Sequence, residues 1–167
     1  MFCVGDTVIY GTQGVCKIVG TDENDLSGDT MEYYVLRPVY DENSTVFVPM
    51  GNKALLERMR SVLSAEEIYA MIKNMPEQET IWIDDDNDRK TAYQEIINRG
   101  NREELVRLIK TLHMHKLEQQ QKGRKLHISD EGFLKQAETL LYNEFAIVLN
   151  IKPNEVVPFI TQQIELN

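Results

Sequence analysis

One change of rhythm near residue 60 constrains this chain more than any other feature. From Gly5 to about Met50, short β-rich runs alternate with turn residues; after Arg60, apolar residues recur three and four apart. Strands first and helices after is the α+β arrangement, and 167 residues suffice for two small units. The expected division is a β domain over 1–60 and a helical domain over 61–167.

The β half starts with Asp6-Thr-Val-Ile-Tyr10, and Gly11-Thr-Gln-Gly14 then turns the chain into Val15-Cys-Lys-Ile-Val19, a hairpin. A polar stretch, Asp22 to Thr30, precedes Met31-Glu-Tyr-Tyr-Val-Leu36, and the turn-like Asp41-Glu-Asn43 precedes Ser44-Thr-Val-Phe-Val48 and Pro49. Four or five short strands in about 55 residues predict a small curled sheet or barrel. Modules of this kind bind.

In the helical half, Ser64-Ala-Glu-Glu67 is a capping box followed by Ile68, Met71 and Ile72 at helical spacing, and Pro76 ends that helix. Glu77 to Asp88 reads as an acidic connection holding the only tryptophan, Trp82. A second helix is expected from about Asp88 to Arg99, stopped by Gly100, and a third from Asn101 with Leu105, Leu108, Ile109 and Leu112 as its stripe. A fourth begins near Ser129, with Leu134, Ala137, Leu141, Phe145 and Val148 on one face, and Pro153 opens a short last helix. The helical domain should thus hold four to five helices.

Catalysis is not announced. There is no phosphate-cradling glycine loop, no metal-ligand spacing and no nucleophile with a base. His113 and His115 stand two apart on a helix and point in different directions, which suits a partly buried ring and a solvated one better than chelation. Asp84-Asp85-Asp86 with Asp88 lacks the glycine and distal glutamate of a calcium loop and reads as a solvated linker. Cys3 and Cys16 read as buried free thiols. The expectation is a non-enzyme with no metal and no cofactor. No run of roughly 20 apolar residues could cross a bilayer, and nothing at the N-terminus suggests a secretion signal, so a cytoplasmic monomer is expected.

The net charge of −9 argues against indiscriminate nucleic-acid binding. It conceals an island: residues 89–125 carry ten basic side chains against four acidic ones, a local +6. Such an island is either a positive face for phosphates or the solvated faces of two amphipathic helices, with Glu103 and Arg107 an i,i+4 pair. Trp82 is either a packing anchor or, beside Arg89 and Lys90, an aromatic wedge for a minor groove.

Val4-Gly-Asp-x-Val-x-Tyr10, Gly14-Val-x-x-Ile18, Tyr33-Tyr-Val-Leu36 and Val46-x-Val-Pro49 together resemble the RNA-polymerase-interacting domain of CarD/CdnL transcription regulators, also found in transcription-repair coupling factors. A tryptophan before an Arg-containing helix, Gly100, Lys122-Gly-Arg-Lys125 and Ala137-x-x-Leu-Leu-x-x-Glu-Phe145 are similar to the helical domain of the same family. The resemblance implies a Tudor/SH3-like β barrel that adds its sheet edge to the polymerase β subunit. It implies also a helical domain on promoter DNA at the upstream edge of the melted bubble. There Trp82 would be the minor-groove wedge, Arg89 and Lys90 would be phosphate contacts, and Lys122, Arg124 and Lys125 would be further candidates.

The polymerase-binding positions fall on Asn24, Val46, Phe47 and Val48. Relatives carry arginines where this chain has Phe47 and, near a second position, Asn24. Backbone pairing and apolar contact are therefore expected in place of ion pairs. The rival reading is an adaptor that binds the polymerase or another protein without touching DNA.

Overall fold

The computed structural model describes residues 2–24 and 30–165. They form two compact units divided between Val62 and Leu63. In the first, β1 (Thr7–Tyr10), a 3₁₀ turn (Gly11–Gln13), β2 (Gly14–Asn24), β3 (Met31–Pro38), β4 (Val46–Pro49), α1 (Lys53–Leu56) and β5 (Met59–Ser61) follow one another. The strands make one antiparallel sheet in the order β4-β3-β2-β1-β5. The order is linear, with β4 and β5 as its two edges, and among the described residues no pairing closes it into a barrel.

Alternation decides what this sheet buries. Val8 opposes Cys16, Ile18 opposes Leu36 and Tyr34 opposes Val48, and these side chains all face inward to make the core with Tyr10 and Met59. The hairpin turn closes on Gly14 at φ 73° and ψ −142°, a region only glycine occupies without strain. Strand β2 runs past Val19, through a register shift between Ile18 and Gly20, and takes in Thr21, Asp22 and Glu23. Pairing with Tyr34, Tyr33 and Glu32 overrides the polar composition that reads as loop. Cys16 is buried and its thiol is pushed up to about 11 by desolvation, whereas Cys3 is exposed, contrary to expectation.

The second unit packs α2 (Ala65–Asn74), α3 (Asp86–Arg99), α4 (Arg102–Gln121), α5 (Ile128–Leu149) and α6 (Val156–Glu165) around one apolar core. The capping box forms as spaced: Ser64 Oγ accepts the Glu67 amide at 3.1 Å and the Glu67 carboxylate accepts the Ser64 amide at 3.0 Å. Gly100 ends α3 in the left-handed conformation at φ 64°, and Asn101 caps α4 by accepting the Glu104 amide. Helix α3 starts two residues before Asp88 because Asp85 is its cap, accepting the Asp88 amide at 2.9 Å. Leu105, Leu108, Ile109 and Leu112 of α4 meet Leu134, Ala137, Leu141 and Phe145 of α5 in the interior, with Val148 partly buried.

A buried ion pair fixes how the unit begins. Arg102 donates to both Glu144 oxygens, at 2.8 and 2.7 Å, and the same carboxylate accepts the Leu63 amide at 2.9 Å. No helix among the described residues is long and apolar enough to cross a membrane.

Candidate functional site

In the β unit the candidate surface is the β4 edge. The Met50 amide donates to Glu32 O at 2.9 Å, which makes Glu32 and Met50 a hydrogen-bonded pair of the β3–β4 ladder. By alternation Tyr34 pairs with Val48 and Leu36 with Val46 in the same way, while the amide and carbonyl of Phe47 turn outward. Pro49 then removes the next outward amide. Phe47 also keeps 53% of its side chain exposed, edge-on to Tyr33 with ring centroids 6.4 Å apart. Met31, also exposed, extends this apolar strip along β3, its sulfur accepting the Tyr33 hydroxyl.

The other expected polymerase contacts fare differently. Val48 faces the core and is fully buried, so its side chain supports the edge and cannot touch a partner. Val46 is half-buried against the same core. Asn24 is the last residue of β2, paired with Met31, and its side chain lies outside the described residues.

In the helical unit the structure corrects the reading of Arg89. It is 3% exposed and all its donors are used. Nε and Nη2 hold the Asp130 carboxylate at 2.9 and 3.0 Å; Nη2 also reaches Asp86 at 2.8 Å, and Nη1 donates to Ile83 O and Asp84 O. A phosphate would find no free N–H there. Asp130 is 1% exposed, so this ion pair locks the first turn of α3 to the first turn of α5. The hydrogen bond to Asp130 raises the Arg89 pKa, and the hydrogen bond from Arg89 lowers that of Asp86.

Trp82 is built onto this hub. The Arg89 guanidinium carbon stands 4.5 Å from its ring centroid, His115 stacks on it at 3.7 Å and 23°, and its indole N–H donates to Asp84 at 2.9 Å. The ring is half-buried against the helical core, beside a shallow cavity of about 230 Å³ lined partly by Thr80, Met114 and Glu118. Trp82 is therefore a packed residue with an open edge, not a free wedge. The acidic run is no mere solvated linker either: Asp84 holds the indole, Asp85 caps α3 and Asp86 pairs with Arg89.

Most of the basic island is spoken for. Arg102 pairs with Glu144, Arg99 with Glu104 at 2.7 Å, Lys116 with Glu131 at 3.2 Å, and Arg107 bonds Gln78 and approaches Glu103. Lys110 caps the 3₁₀ turn after α2, donating to Met75 O, Pro76 O and Gln78 O. Four cations of the island keep exposed side chains with no neighbour in hydrogen-bond or ion-pair reach among the described residues: Lys90 on α3 and Lys122, Arg124 and Lys125 between α4 and α5. The Arg89–Asp130 lock holds the α3 turn that carries Lys90 against the start of α5, where the 122–125 loop ends.

Two features escaped the sequence reading. The role of His115 as the stacking partner of Trp82 bridges 33 positions and leaves no local signal. Asp130, a first-turn acid of α5, carries no local signal of its role either; only its pairing with buried Arg89 reveals it. His113 is the solvated ring of the pair, 3.6 Å from Glu138, whose pKa is raised by burial.

A search of curated proteins finds no match. The profile of the CarD-like/TRCF RID domain matches residues 2–62, and that of the CarD, C-terminal domain matches residues 67–161, more than half of the chain by itself. The two matched segments coincide with the sheet unit and the helical unit, so both halves of the architecture point the same way. The chain belongs to the CarD family of RNA-polymerase-interacting transcription regulators.

Proposed function

We propose that this protein binds the polymerase β subunit through the β4 edge and contacts promoter DNA at the upstream edge of the melted bubble through its helical unit, acting as a monomer and by binding alone. The observation that carries the first half is the outward-turned backbone of Phe47 on an edge strand, with its exposed ring beside the half-buried Tyr33. An added strand would gain main-chain hydrogen bonds there, and Phe47 with Tyr33 would give it an apolar seat in place of ion pairs. Such an edge left bare invites aggregation, so an occupant accounts for its persistence.

The DNA half rests on Lys90, Lys122, Arg124 and Lys125, the cations of the basic island without an ion pair, together with the half-buried Trp82 held on Arg89. Contacts made better with melted than with closed DNA would shift the promoter equilibrium toward the open complex. Reversing the charge of Lys122, Arg124 and Lys125 together tests it: open complexes should decay faster with the variant, while polymerase binding stays at the parent level. Equal decay would leave the adaptor reading, which the carboxylates of Asp84, Asp85, Asp86 and Asp88 near Trp82 favour through repulsion of phosphates.

A further inference from the structure

Among the described residues the most exposed large hydrophobic side chain is Ile128, at 88%. It is the first residue of α5, and the residues two before and two after it, Leu126 and Asp130, are both buried. Leu126 belongs to the apolar core and Asp130 is clamped by Arg89. The turn between them is capped as well: His127 Nδ1 accepts the Ser129 amide at 3.3 Å and shares a 2.7 Å hydrogen bond with Ser129 Oγ. Ile128 is thus held outward by anchors on both sides, with little conformational freedom left to lose on meeting a partner.

Its surroundings select the partner. Lys122, Arg124 and Lys125 lie three to six positions before it, exposed and without an ion pair, while the first-turn carboxylates of α5 and α3 are engaged, Asp130 and Asp86 with Arg89 and Glu131 with Lys116. An apolar projection beside free cations matches a nucleic-acid minor groove, where cations hold the phosphates and an aliphatic group presses on sugars or between base steps. A bilayer would require an apolar stripe, and the next apolar residues of α5, Phe133 and Leu134, are buried.

We propose that Ile128 is a DNA-contacting side chain of the helical unit, entering the minor groove from the start of α5. This rests on the DNA contact proposed above. It adds a non-electrostatic component that the cations cannot supply, and the two are separable by salt.

The test is fluorescence anisotropy of full-length protein with a labelled fork-junction duplex across a salt series. The arms are the parent, Ile128→Ser, Ile128→Met and the triple change Lys122→Ala, Arg124→Ala, Lys125→Ala. Ile128→Ser should weaken binding about fivefold at every salt concentration with the slope unchanged, and Ile128→Met should restore it. The triple variant should flatten the slope by about 2 to 3 units. All variants should melt with the parent, given the exposure of the changed side chains.

If Ile128→Ser binds like the parent while the triple variant loses its slope, Ile128 is not a contact and the DNA reading stands. If the parent shows no salt-dependent binding, the DNA reading fails and Ile128 with it. Vesicles of phosphatidylserine and phosphatidylcholine complete the experiment. Binding to them that depends on Ile128, with DNA binding indifferent to it, would overturn the groove assignment.

Discussion

At the scale of single residues, the centre of the helical unit is Arg89. Its side chain spends every donor on Asp130, Asp86 and the 83–84 carbonyls, so truncation should cost more than a contact. Arg89→Ala leaves Asp130 buried and charged, and urea unfolding should show a loss of about 3–5 kcal/mol with a red shift of Trp82 fluorescence. Replacing the pair together, Arg89→Met with Asp130→Leu, should recover most of that loss. A second residue-scale expectation concerns Glu138. Burial raises its pKa above the unfolded value, so ionisation favours the unfolded chain, and the penalty grows as pH rises from the unfolded pKa through the folded one. Glu138→Gln should therefore stabilise the protein at neutral pH, with the gain vanishing as pH falls to about 4; a gain that persists at low pH would point to packing instead.

Residue roles were also the least legible part of the sequence. Position 82 announced an important tryptophan, and Lys90, Lys122, Arg124 and Lys125 announced themselves as charge. Nothing local distinguished Arg89 from Lys90. The difference is the reach of one of them to Asp130, 41 positions away, which only the packing of α3 against α5 creates. In the same way Val48 and Phe47 look equally apolar in the chain, and the register of β4 alone turns one in and the other out.

Elements were far more readable, because their signals are local. The capping box at Ser64, the left-handed stop at Gly100 and the cap at Asn101 all stand where their side-chain chemistry puts them. Ser64→Ala should accordingly cost about 1 kcal/mol of stability, measurable by thermal or urea unfolding, because it strands the Glu67 amide, while the Glu67 carboxylate keeps the backbone N–H of residue 64. The Glu67 pKa is depressed chiefly by the Ser64 backbone hydrogen bond, so its contribution is present above the unfolded pKa and is lost as pH falls through the folded value. What the elements concealed was extent: β2 continues into residues whose polarity reads as loop, and α3 begins inside an aspartate run that reads as linker. In the first case pairing with β3 decides; in the second the cap at Asp85, adjacent in the chain, does.

For the molecule as a whole, strands first and helices after gave the class of fold, and the division of labour follows it. The β unit presents an edge whose outward backbone and exposed Phe47 ring are suited to a protein strand; the helical unit spends most of its basic island on internal partners and keeps Lys90, Lys122, Arg124 and Lys125 exposed. A net charge of −9 is compatible with this, since the cations that matter are few and local.

The central claim is that the polymerase is held at the β4 edge. It is tested most directly by titrating the full-length protein against RNA polymerase with Phe47→Asp beside the parent. Phe47 is more than half exposed, so the variant should fold and melt close to the parent while its affinity for polymerase falls about tenfold or more, as a carboxylate replaces the apolar seat beside the added strand. Unchanged affinity in a folded Phe47→Asp protein would contradict the account.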